Sequence, residues 1–223
     1  MVQPNIDPYN EKYNLTHQEL YSGLIAQITP ELNKKINLIV TPETYFSEGA
    51  GENLPKFKQS KLYQDLLAFS IKYNTQFLNG IQFYNAYNAE NKSNTANDLR
   101  NGVWADFYNS AFLTDTTDVY VYHKSKLVVG VETLPYRSIV EPVLGNIMLD
   151  LGGTISVRAT QKYREAFPLY GGTKVGPVIC YESVYGEFVT AYIREGATLL
   201  AIMTNDAWWG NTAGHKQHLA YAR

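Results

Sequence analysis

The stretch from Val175 to Thr204 constrains the fold of this 223-residue chain more than any other. Val175 to Cys180 reads as an apolar strand and about Val184 to Arg194 as a helix; Gly196 interrupts, and Thr198 to Thr204 reads as a second strand. Strands alternating with helices argue for an α/β fold. Upstream the alternation recurs. Thr16-x-x-Glu19 has the capping-box spacing, and Leu20, Leu24, Ile25 and Ile28 follow at helical intervals, a helix predicted to run past Pro30 to the polar Asn33-Lys34-Lys35. Ile36 to Thr41 is a short β-branched run halted by Pro42. Leu62, Leu66, Phe69 and Tyr73 mark one face of a second helix, and Gln76 to Tyr84 reads as a strand.

Tyr108 to Asp115 and Val119 to His123, joined by a Thr-Thr-Asp turn, read as a hairpin that adds antiparallel pairing. The asparagine-rich Asn85 to Asn101 is predicted to be a surface excursion. Met1 to Ile6 reads as the tail of a strand. Between Leu134 and Pro168 the sequence suggests a short helix near Val143 to Leu149 and two Gly-Gly-Thr turns. Neither an internal repeat nor a linker interrupts the chain, so a single domain is expected over residues 1–223.

Composition narrows the function. Hydrophobic residues make up 45% and charged residues 18%, a globular balance. Lys+Arg number 19 and Asp+Glu 21, for a net charge of -2, so no basic excess exists to neutralise nucleic-acid phosphates. The longest strongly apolar stretch, Ala197 to Met203, is far short of a membrane span. One cysteine, Cys180, rules out an internal disulfide framework and a multi-cysteine zinc site. His215 and His218 lie three residues apart without a third ligand type nearby, so no metal is expected.

Cys180 ends an apolar strand directly before a helix. A lone cysteine there is either buried core filler or a nucleophile on a strand-to-helix turn, where amide groups favour a thiolate and an oxyanion. Glu43 ends the Ile36–Thr41 strand in the same manner, as a solvated turn residue or as a general base at the carboxyl end of a strand. Lys124 follows the second hairpin strand, with Glu132 eight residues on. A base, a cation and a thiol are what cysteine chemistry on a carbonyl carbon requires. Spacing alone leaves both readings open.

The residues around these three positions resemble the nitrilase (carbon–nitrogen hydrolase) superfamily, whose catalytic residues run Glu, Lys, Cys. Within it they are most similar to the apolipoprotein N-acyltransferases. The segments that carry the resemblance are Val2-Gln-Pro-Asn-Ile6, Thr41-Pro-Glu43, Tyr122-His-Lys124 through Glu132 and Pro135, Cys180-Tyr-Glu182, and Thr204-Asn-Asp-Ala-Trp-Trp-Gly210 with Gln217-His218 and Ala222-Arg223. They span nearly the whole chain in the family's order. One departure is Leu127-Val-Val-Gly-Val-Glu132, where many members read Leu-Val-Pro-Phe-Gly-Glu: the spacing survives and the turn chemistry differs.

The resemblance implies a nitrilase-like four-layer αββα sandwich with mixed sheets. It implies Glu43 as base, Lys124 as oxyanion-stabilising cation and Cys180 as nucleophile, with Glu132 and Glu182 in support. Tyr181, Asn205, Trp208 and Trp209 are expected to meet the substrate, the two tryptophans from a loop after a strand end. The implied reaction moves an acyl chain from a membrane phospholipid, through a thioester, to the amine of an apolipoprotein, without a cofactor. It implies a bacterial inner-membrane protein with this domain facing the periplasm. Family members carry transmembrane helices before the domain and continue beyond it, so truncation at Arg223 is expected. Two alternatives stand beside this: a soluble amidase of the same superfamily, and an inactive fragment that binds lipid or protein.

Overall fold

The computed structural model describes residues 4–32, 35–128, 132 and 157–222. Helix α1 (His17–Ile28) starts with the predicted capping box: the Thr16 hydroxyl accepts from the Glu19 amide at 3.2 Å, and the Glu19 carboxylate accepts from the Thr16 amide at 2.8 Å. It ends earlier than its spacing suggests, tightening into a 3₁₀ turn over Thr29–Glu31 in which Pro30 lacks the donor an α-helix needs. Helix α2 (Lys61–Tyr73) is capped by Ser60 and stopped by Asn74 in the left-handed region. Leu62, Leu66 and Phe69 are buried, whereas Tyr73, in the last turn, is 38% exposed.

The first sheet has β1 (Leu38–Val40) parallel to β3 (Gln76–Asn88), which is antiparallel to β5 (Val103–Thr114), which in turn pairs with β6 (Val119–His123). Two short strands, β2 (Glu52–Asn53) and β4 (Asn97–Asp98), pair with β3 and β5. In the second sheet β7 (Phe167–Pro168) lies antiparallel to β8 (Lys174–Ile179), and β9 (Leu199–Met203) lies parallel to β8. Helix α3 (Gly186–Arg194) makes the crossover between β8 and β9, as the strand–helix–strand pattern predicts.

Alternation along the central strands builds the layers. Phe77, Ile81 and Phe83 of β3, with Phe112 of β5, face α1 and α2. Leu78, Ala111, Leu113 and Tyr122 point the other way and pack with Val175, Val178, Ile179, Phe188 and Tyr192 of the β8–α3 unit. The order is helix, sheet, sheet, helix, and both sheets are mixed.

Three expectations change. The asparagine-rich excursion is shorter than predicted, because β3 and β5 pair without a break from Phe77↔Thr114 to Asn88↔Val103. Cross-strand pairing overrides the turn preference of the local asparagines. What remains of the excursion is tied down by Asp106, which accepts from Ser93 and Thr95 at 2.8 Å each. The helix after Cys180 begins only at Gly186, since Cys180–Val184 forms a 3₁₀ turn. Pro4 to Ile6 is not a strand. The helix near Val143 to Leu149 and the turn at Gly152 lie outside the described residues; the second Gly-Gly turn, at Gly171 and Gly172, joins β7 to β8 with φ of 92° and 85°.

One glycine positions the chemistry. A Cβ on Gly80 would lie 2.1 Å from the Pro42 carbonyl oxygen and 2.6 Å from the Thr44 nitrogen, so β3 leaves room there for the backbone that carries Glu43. Gly80→Ala is expected to cost at least about 2 kcal/mol through this clash. Gly23→Ala, on the open face of α1, is expected to stabilise by roughly 0.5–1 kcal/mol through helix propensity. Urea denaturation of the two variants checks the opposite signs; equal behaviour would remove the steric role given to Gly80.

Candidate active site

The site forms where three strands end. After β1 the chain turns through Thr41, Pro42 and Glu43 to Thr44, which is left-handed at φ 44°, and returns to pair Phe46 with Ile81. Thr41 fixes the turn, its hydroxyl accepting from the Gly80 amide at 3.1 Å. After β6, the Lys124 amide donates to the Asn109 carbonyl at 2.8 Å, which sends the side chain inward. After β8, Cys180 is left-handed at φ 50°, a conformation that costs a non-glycine residue about 1–3 kcal/mol and must be held by its surroundings.

Lys124 is 1% exposed. Its Nζ donates to Glu43 Oε1 at 2.9 Å and lies 3.0 Å from Glu132 Oε2. Asn109 Nδ2 donates to both carboxylates, at 2.8 Å to Glu43 and 3.2 Å to Glu132. Glu132 also accepts from the Val128 amide at 2.9 Å. Burial alone would drive the ammonium neutral, but the Glu43 and Glu132 charges outweigh it and hold its pKa above the usual lysine range. For Glu43, burial pushes the carboxyl up, while Lys124 and then Lys12 pull harder and keep it below the ordinary carboxylate value.

The Cys180 thiol is pushed up to about 12, first by burial and then by the Glu43 charge, against the pull of Lys124 and a hydrogen bond with Thr204. At neutral pH it is a thiol beside a carboxylate. His123, next to Lys124, is driven down to about 4 by burial and adds no charge.

Glu182 is fully buried and holds two loops together. Its Oε1 accepts from the Tyr122 hydroxyl at 2.8 Å, the Ser125 amide at 2.7 Å and the Lys126 amide at 3.2 Å, and its Oε2 accepts from the Ile179 amide at 2.9 Å. The loop after Lys124 and the turn that carries Cys180 thus share one carboxylate. On the other side of that turn, Ser183 donates to the Cys180 carbonyl at 2.9 Å and lies 3.3 Å from His218 Nε2. His218 Nδ1 meets Asp206 at 2.8 Å, and Asp206 accepts from Thr204 at 2.9 Å.

Sequence patterns missed several of these groups. Lys12 sits in the polar turn after Asp7 and is only 4% exposed. Its Nζ donates to Thr44 Oγ1 at 2.5 Å and to the Glu43 carbonyl at 3.4 Å, and lies 5.6 Å from the Trp208 ring centre. Burial lowers it to about 8, with Glu43 and Cys180 opposing the fall. Asn109 escaped notice too, as a strand residue without a motif of its own, and Tyr122 reads as part of the Tyr122-His-Lys124 segment without a role of its own. The predicted substrate residues are less central. Trp208 packs edge-on against Tyr9 at 5.0 Å, Trp209 is 51% exposed, Tyr181 stands outside against Tyr185, and Asn205 is half-buried without a side-chain cap bond. The Val129-Gly130-Val131 departure lies outside the described residues.

Lys124→Met should destabilise by about 3–5 kcal/mol at pH 7, because it leaves the buried Glu43 carboxylate facing the half-buried Glu132 with no cation between them. Without the cation, burial pushes the Glu43 carboxyl above its unfolded value, so the loss should shrink as pH falls and Glu43 takes up a proton. Urea denaturation at pH 7 and pH 5 checks the sign; a deficit that grows on acidification would contradict the pairing. The raised thiol makes a second prediction. Alkylation of Cys180 by iodoacetamide should be slower than that of a free cysteine at pH 8 and should keep rising beyond pH 9.0, the unperturbed value. A rate that levels off near pH 7 would show a resting thiolate instead.

Comparison with known proteins gives the lineage of the chain. The carbon-nitrogen hydrolase family profile matches residues 1–223. A protein of Chlorobaculum tepidum named apolipoprotein N-acyltransferase is 28% identical over 238 residues, covering 100% of this chain and 42% of its own length. One of the same name from Allorhizobium ampelinum is 27% identical over 228 residues, covering 100% and 39%. The chain thus spans about two fifths of the length of these relatives. Among solved structures, an amidase of the nitrilase superfamily from Nesterenkonia superposes with a TM-score of 0.52 at 13% identity, covering 88% of this chain and 65% of that one. A carbon-nitrogen hydrolase from Helicobacter pylori gives 0.52 at 16%, covering 92% and 62%. At these identities the structural likeness speaks for the fold alone, and the match along all 223 residues speaks for the lineage: this chain belongs to the carbon-nitrogen hydrolase family.

Proposed function

We propose that this chain is the catalytic domain of an apolipoprotein N-acyltransferase, with Cys180 as acyl carrier, Glu43 as general base and Lys124 as the cation for the oxyanion. The observation that carries the proposal is the buried Lys124 ammonium, held by Glu43 and Glu132 close enough to the lone thiol to act on its charge. Relatives of that name matched along the whole chain support the substrate class.

The reaction runs in two halves. Cys180 attacks the acyl carbonyl of a phospholipid ester while its proton passes to Glu43. The tetrahedral oxyanion takes a hydrogen bond from Lys124, whose ammonium has three donors. The intermediate collapses, the C–O bond breaks, and the lysophospholipid oxygen leaves with the proton held on Glu43. In the second half the free α-amine of a diacylglyceryl-cysteine attacks the thioester. Glu43 accepts the amine proton and returns it to the departing sulfur, leaving an amide and the original thiol. Atoms and protons balance without a cofactor.

The resting charges suit this order of events. With the thiol raised to about 12 and Glu43 lowered, the proton moves only as the C–S bond forms and negative charge passes to the carbonyl oxygen beside Lys124. Glu132 keeps Lys124 charged and in place, and Glu182 sets the thiol turn against the lysine loop. We assign Tyr181, Asn205, Trp208 and Trp209 to the substrate entrance, with the aromatic rings on the acyl chain. The full protein is then anchored in the bacterial inner membrane, with this domain facing the periplasm, the phospholipid as donor and the apolipoprotein as acceptor.

Intact-mass spectrometry of the chain incubated with phospholipid vesicles tests the proposal. A palmitoyl-sized adduct is expected, absent in Cys180→Ser and abolished in Glu43→Gln and Lys124→Ala. A normal acylation rate in either of the last two would overturn its assigned role. Hydrolysis of small amides with no adduct from any lipid would favour an amidase instead.

A further inference from the structure

A cavity of about 340 Å³ opens between the loop after β6 and the segment leading into β7. Neither Glu43, Lys124 nor Cys180 lines it. It backs onto the Glu182 contact, since Ser125 and Lys126, which line it, give their amides to that carboxylate.

Three cations surround the cavity: Lys126, Lys162 and Arg164. Among the described residues none of them pairs with a carboxylate; the ion pairs between described residues lie elsewhere, on Lys58, Lys61, Lys124, His17 and His218. Arg164 is held in place without a counter-ion. Its guanidinium carbon lies 3.9 Å from the Phe188 ring centre, and its Nη1 donates to the Lys162 carbonyl at 2.9 Å. Its Nε is sealed from solvent and has no partner. The carboxylates nearby do not answer this charge. Glu182 is saturated by four donors, and Glu165 receives only a long contact from Gln161 at 3.4 Å.

We infer that this cavity binds a phosphoester. A single planar carboxylate is satisfied by one guanidinium fork, whereas three cations from separate positions, with the exposed Thr160 hydroxyl on the rim, suit a tetrahedral oxyanion that accepts from several directions. Phe188 supplies an apolar wall for the organic part, and the volume is at the lower end of small-ligand sites. The chemistry is shared by two sources, a soluble phosphoester and a lipid headgroup. The inference does not rest on the reaction proposed for Cys180, so the failure of one leaves the other standing.

Calorimetric titration of the chain with glycerol 3-phosphate, and co-sedimentation with phosphatidylglycerol vesicles, test it. Binding is expected in at least one arm: the first identifies a soluble phosphoester, the second a headgroup at a membrane surface. Arg164→Met and the double variant Lys126→Ala/Lys162→Ala should each weaken that binding at least tenfold with an unchanged circular dichroism spectrum. Should Arg164→Met fail to fold, the double variant decides alone, because both lysines are exposed. No binding in either arm, or wild-type affinity in the double variant, would overturn the site.

Discussion

The rest of the site depends on the ammonium of Lys124. A charge with 1% of its surface exposed is tolerable only when its partners cost less to bury with it than without it. Here the partners are two carboxylates from different parts of the chain, themselves joined by an asparagine from a third. Asn109 is doubly engaged, its carbonyl receiving the Lys124 amide and its side chain steadying both carboxylates. Glu43 arrives on a turn that Gly80 makes room for, and Glu132 closes back on Val128. None of these groups has a reason to be buried without the others.

That cluster sets the state of the thiol. Burial, and after it the Glu43 charge, outweigh the pull of Lys124 on Cys180, and its proton stays on. A nucleophile kept as a thiol is protected from casual alkylation and oxidation, and is released only when an electrophile accepts its charge. Lys12 pulls the Glu43 carboxyl down as well, and it anchors the Glu43 turn and lies over the Trp208 ring.

Much of the architecture was legible in the sequence because its signals are local. Strand–helix–strand alternation from Val175, the Thr16–Glu19 cap and the 108–123 hairpin all appear in the structure, the first hairpin strand extended back to Val103 by its pairing with β3. The structure also brings Glu43, Lys124 and Glu132 into one cluster next to Cys180. Lys12 was not legible. In a turn rich in Asp, Asn and Glu, a lysine reads as solvated, and only the docking of that turn on Thr44 and Trp208 buries it. His218 reads as half of a Gln-His pattern, yet its contacts are Asp206 and Ser183, at distances no spacing rule encodes. The 3₁₀ turn after Cys180 escaped for a related reason: Glu182 is held by Tyr122, Ser125 and Lys126 from across the fold, and this tertiary demand outranks the propensity to begin a helix at once.

The four bonds on Glu182 have a consequence for how the protein is made. Three of them join residues 56 to 60 positions apart, and the Lys124–Glu43 pair joins residues 81 apart. Contacts of such separation close only after most of the chain has emerged and both sheets have met. Before those distant segments meet, the chain presents an ordinary cysteine and two unrelated acids.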